Sequence, residues 1–228
     1  NETLEIKCTD NQNNVSVYLY YTVIKEHNII VRNLKVVNDG DDIITLDKAL
    51  SVNIDMLNKD YILSKLDGAW IRERHINDHP LTNGTLRFDS KKGVSSSDHN
   101  PFVILKQEDT REHLGNCLGV SLIYSGNFEA NVEISPHNLL RLNMGVNSFD
   151  FRYPLKKDDS FISPEVIMTA SDKGLNGLSK NFHDFINSHI INKNHQHKER
   201  PILVNNWEAT YFDFNQKKLL AIAKKAKK

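Results

Sequence analysis

The residues whose types and spacing could do chemistry lie near the end of the chain: Asn205, Asn206, Trp207 and Glu208. Amides, an aromatic ring and a carboxylate together are side chains suited to touching a substrate. The elements that must position them are legible on either side. Ile202 to Val204, bounded by Pro201, reads as a short strand, and Leu219, Ile222, Ala223 and Ala226 fall on one helical face. Groups between the end of a strand and the start of a helix are those that parallel α/β architectures present to substrate.

That strand and helix make an incomplete unit, because a parallel strand needs a second one to pair with and the chain stops at Lys228. No glycine or proline closes the last helix, and the first residue is Asn1 rather than methionine. The chain is therefore expected to be a piece of a longer polypeptide.

Its 228 residues are enough for a sandwich or barrel with one large core, and 39% hydrophobic with 25% charged residues describes a globular composition. Twenty-nine basic residues balance 29 acidic ones, so bulk charge recruits neither nucleic acid nor an anionic membrane. No apolar run is long enough to span a bilayer. Cys8 and Cys117 are read as reduced thiols, and a cytoplasmic location is expected. Asn14-Val-Ser16 and Asn83-Gly-Thr85 match the glycosylation triplet, which arises readily in an Asn-rich chain.

Before the terminal unit the pattern is that of an antiparallel meander. Strands are expected at Leu4 to Cys8, Val15 to Ile24, Ile29 to Val37, Ile43 to Leu46, Ala49 to Asp55 and Tyr61 to Leu66, separated by Asn- and Asp-rich turns. Gly68 to Pro101 reads as long surface loops and edge strands with Trp70 as core. His75, His79 and His99 fall in this stretch, but none has metal-ligand spacing, and neither a metal nor a cofactor is expected. Strands resume at Phe102 to Leu105, Cys117 to Tyr124, Phe128 to Ile134, Leu139 to Asn143 and Pro164 to Met168. Phe149, Phe151 and Tyr153 alternate with polar residues and are read as cross-strand core pairs rather than a sugar platform. Leu175, Leu178, Phe182, Phe185, Ile186 and His189 then mark a helix from Gly174 to Ile191, with Asp172 as its cap. His195-Gln-His197 lies in a polar linker.

Arg200 to Phe214 resembles the α-galactosidases of glycoside hydrolase family 36. Gly68-Ala-Trp-Ile-Arg-Glu-Arg-His75, Gly93 to Phe102, Leu122 to Phe128 and Ser171 to Leu178 resemble landmarks of that family in the same order. The resemblance implies a mainly β chain: a truncated antiparallel β-supersandwich over residues 1–172, a connecting helix and linker over 173–199, and the first strand and helix of a (β/α)8 catalytic barrel over 200–228. It also implies retaining hydrolysis of terminal α-linked galactose from melibiose or raffinose, by a homo-oligomer that is tetrameric at full length. Such chemistry needs two carboxyl groups about 5 Å apart. In the family both are aspartates on later barrel strands, the nucleophile within a Lys-Trp-Asp-Met-Asn-Arg type motif that is absent from this sequence.

By the same resemblance Trp207 lines the galactose subsite, against the alternative that it fills the barrel mouth as core. Asn206 and Glu208 either hydrogen-bond the sugar or fix the loop. Two other functions stay open: a galactosyltransferase of the raffinose-synthase type, and a non-catalytic β-sandwich for carbohydrate binding or assembly.

Overall fold

The computed structural model describes residues 2–57 and 60–227. Among the described residues fifteen strands are formed: β1 (Glu2–Asp10), β2 (Val15–Ile24), β3 (Ile29–Asn38), β4 (Ile44–Leu46), β5 (Leu50–Met56), β6 (Ile62–Ala69), β7 (Arg72–Pro80), β8 (Gly84–Asp89), β9 (His99–Lys106), β10 (Cys117–Leu122), β11 (Phe128–Ile134), β12 (Leu140–Val146), β13 (Tyr153–Leu155), β14 (Ser160–Ile162) and β15 (Val166–Ser171). The larger sheet runs β1-β2-β3-β15-β10-β9-β6-β7, with β14 also on β3. The smaller runs β5-β12-β11-β8, and β13 pairs β4. Every ladder is antiparallel.

Period-two alternation builds the interior in two layers. Val103 and Leu105 of β9, Val120 and Leu122 of β10, and Val166 and Met168 of β15 point towards the smaller sheet. There they meet Phe128, Val132 and Ile134 of β11 and Leu140, Leu142 and Met144 of β12. Residues of opposite parity, Ile104, Cys117 and Ile167, point the other way and pack under helix α1 (Gly174–Phe185) through Leu178, Phe182 and Phe185. Gly119 makes that approach possible, since a Cβ there would lie 2.5 Å from Phe182 Cε2.

Four expectations are corrected. Trp70 is not core: it is 76% exposed, because Trp70 and Ile71 form the tip of the β6–β7 hairpin. Phe149, Phe151 and Tyr153 are not cross-strand core pairs, because the first two lie in the loop after β12 and Phe149 is 60% exposed. The helix expected to Ile191 is α-helical only to Phe185 and continues as a π-helical turn, Ile186–Ile190. Asp172 does not cap it: Lys173 holds the cap position without a side-chain cap, its own N–H bonded to Ser171 Oγ at 3.0 Å.

By chain contacts the residues divide into two units, Asn1–Ile186 and Asn187–Lys228. In the second, the strand expected at Ile202 to Val204 forms no ladder, because no described strand neighbours it. Its side chains stay exposed, Leu203 at 91%. Two helices follow, the single turn α2 (Trp207–Thr210) and α3 (Gln216–Ala226), whose first turn is capped by Asn215 Oδ1 accepting from Lys218 N at 3.0 Å.

Candidate functional site

Asn205, Asn206, Trp207 and Glu208 occupy one turn, but their roles divide. Asn205 Oδ1 accepts the Trp207 N–H at 2.9 Å, and the Asn206 carbonyl accepts from the Thr210 N–H and hydroxyl at 3.0 Å each. Asn206 Nδ2 also donates to Thr210 Oγ1 at 2.9 Å. Asn205 thus meets one of the free N–H groups that open α2, while the cap position, Asn206, makes no side-chain cap bond.

Trp207 is 42% exposed. Its ring stands edge-on to Tyr211 and Phe212, with centroids at 5.4 and 4.9 Å and interplanar angles of 77° and 90°. Two aromatic neighbours thus set the indole's orientation while leaving part of it to solvent. Sequence reading missed Tyr211 and Phe212; the spacing of four from Trp207 was an available signal for Tyr211, whereas Phe212 lies past the end of α2. Glu208 is exposed, and its Oε2 is 3.5 Å from the Tyr211 hydroxyl. The other carboxylate of this segment, Asp213, is held by Lys218 Nζ at 2.6 Å.

Of the histidines considered for a metal, His79 and His99 face one carboxylate, Asp67. His75 is exposed on β7. His99 Nδ1 lies 2.8 Å from Asp67 Oδ1 and His79 Nε2 lies 3.9 Å from Asp67 Oδ2, while Lys65 and Asn77 donate to the same carboxylate. Burial pushes the Asp67 carboxyl up, but hydrogen bonds from Lys65, Asn77 and His99 outweigh it and lower its pKa to about 2. An ammonium already neutralises the anion, so the cluster is an ion-pair network across β6, β7 and β9. Cys8 is exposed, Cys117 is buried, and both are free thiols; burial pushes Cys117 up.

The described residues thus form an antiparallel sandwich with a packed helix, and a second unit that carries an aromatic turn. The glycosyl hydrolase family 36 N-terminal domain matches residues 1–156, and the melibiase family matches residues 160–228. The chain belongs to glycoside hydrolase family 36. The α-galactosidase AgaA of Geobacillus stearothermophilus is 42% identical over 225 residues, and Mel36A of Lactobacillus acidophilus is 38% identical over 227. These alignments take in 99% and 100% of this chain and 31% of each relative.

Among solved structures, AgaA superposes with a TM-score of 0.93 at 42% identity, covering 97% of this chain and 31% of that one. The Lactobacillus brevis α-galactosidase gives 0.94 at 36% identity, covering 99% of this chain and 30% of that one. AgaA variants have been crystallised with stachyose and with raffinose. The chain thus spans under a third of the length of these relatives.

Proposed function

We propose that this chain is the supersandwich and the opening of the catalytic domain of a retaining α-galactosidase, which releases terminal α-linked galactose from raffinose and melibiose. Two consecutive family matches, together with AgaA and Mel36A aligning over almost the whole chain, carry this reading. Residues 1–172 form the sandwich, 173–199 the connector, and 200–228 the first unit of a (β/α)8 barrel. In that barrel Ile202 to Val204 gains the strand neighbour that its exposed side chains lack here.

In this reading Trp207 packs against the apolar face of galactose, Glu208 accepts from its hydroxyls, and Asn206 holds the turn. Chemistry follows from two carboxyl groups about 5 Å apart, one forming the galactosyl-enzyme and the other donating and then accepting a proton. Neither belongs to these 228 residues. The intact protein is a cytoplasmic homo-oligomer, a tetramer. No described helix is long and apolar enough to cross a membrane.

Proton NMR of raffinose cleavage by the chain extended to the length of its relatives tests the reading. α-Galactose appears first if the reaction retains configuration, whereas β-galactose first, or galactose passed only to another sugar, overturns it.

A further inference from the structure

The three aromatic residues expected in the core instead surround an open cleft of about 460 Å³ on the sandwich, well inside the range of small-ligand sites. Phe151 and Tyr153 stack with centroids 6.4 Å apart and planes 16° from parallel, and Phe161 braces both edge-on at 5.6 and 5.1 Å. Phe149 stands 60% exposed at the rim with the Lys91 ammonium 5.0 Å from its centroid. On the facing side Tyr124 is 40% exposed and packs against Gly126, where any Cβ would come within 2.6 Å of its hydroxyl.

The loop carrying Phe149 and Asp150 is held from beneath by buried groups. Fully buried Glu129 accepts from the Ser148 hydroxyl and N–H at 2.7 and 3.1 Å and from Arg87 at 2.9 Å. Asn147, 1% exposed, accepts the Phe149 N–H at 2.9 Å and donates to the carbonyls of Ser90 and Phe128 at 3.0 and 3.1 Å. The rim is therefore preorganised. Above it, the Tyr124 and Tyr153 hydroxyls and the Asp150 carboxylate have no protein partner among the described residues, and all three residues line the cleft.

We infer that this cleft binds a neutral saccharide, a pyranose ring stacking on the Phe151–Tyr153 face and Phe149 while Asp150 and the two phenols hydrogen-bond its hydroxyls. Aromatic faces supply what the sugar's C–H surface needs, and unpartnered oxygen groups supply what its vicinal hydroxyls need. Asp150 is the single carboxylate among the described lining residues, and glycoside hydrolysis takes two, so the cleft is assigned to binding. It does not depend on Trp207 or on hydrolysis.

Saturation-transfer NMR and calorimetry with raffinose, on the chain carrying Trp207→Ala, test it with the other aromatic sugar platform removed. Raffinose binding is expected to persist, and to weaken about tenfold on adding either Phe149→Ala or Asp150→Ala. Both positions are exposed, and because Asp150 lies at φ 55°, Asp150→Asn, which tolerates that backbone, is measured beside Asp150→Ala. Absence of binding in the Trp207→Ala chain, or affinity unmoved by both added changes, overturns the inference.

Discussion

Trp207 is oriented by its own sequence neighbours, Tyr211 and Phe212. In the extended protein Trp207→Ala is therefore expected to lower kcat/KM for an aryl α-galactoside by about tenfold or more, with Trp207→Phe recovering part of the loss. Unchanged kinetics would remove Trp207 from the galactose subsite. Glu129 is the opposite case: in Phe-Glu-Ala-Asn-Val-Glu-Ile its position matches that of Glu133 and reads as solvent-facing. It is buried because the Ser148 loop, Arg87 and Lys48 close over it. Burial pushes its carboxyl up, but hydrogen bonds from Ser148 and Lys48 hold it below the ordinary glutamate value. Replacing Glu129 with Gln is expected to cost about 3 kcal/mol in urea unfolding. A cost near zero would contradict the network. Such tertiary closure leaves no periodic signal, which is why neither Glu129 nor the aromatic cleft was legible in the residues alone.

Elements followed the sequence wherever one face was buried. β2 and β11 coincide with the runs expected of them, and β11 sends Phe128, Ala130, Val132 and Ile134 into the core. β7 gives no such alternation, since it is an edge strand exposed along nearly its whole length. The α1 face was legible as a helical stripe, while the glycine it rests on was not. Gly119→Val is expected to displace Phe182 and destabilise the chain by about 2 kcal/mol. A melting curve that matches the parent's would contradict that contact.

The β6–β7–β9 network makes a pH prediction. The Asp67 pKa is lowered from 3.8 to about 2, so its contribution, about 2 kcal/mol, is fully present above pH 3.8 and is lost as pH falls towards 2. Asp67→Asn should flatten that acid limb of stability, and an unchanged limb would place the titration elsewhere.

At the scale of the whole molecule, Leu203, Phe212, Ile202 and Leu220 leave apolar surface open in the second unit, at 91, 85, 80 and 51% exposure. The chain by itself is expected to self-associate as its concentration rises. Light scattering should show growing mass that Leu203→Lys reduces, and a monodisperse monomer at high concentration would contradict it. The family was legible because its landmarks are short ordered motifs, whereas the strand at Ile202 to Val204 needs a partner that no local pattern supplies.

The most direct measurement of the central claim is cleavage of chromogenic α- and β-galactosides by this chain, beside the same chain extended to the length of its relatives. Only the extended protein should act, and only on the α-galactoside. An extended protein inactive on the α-galactoside, or cleavage by the 228 residues alone, would contradict the assignment.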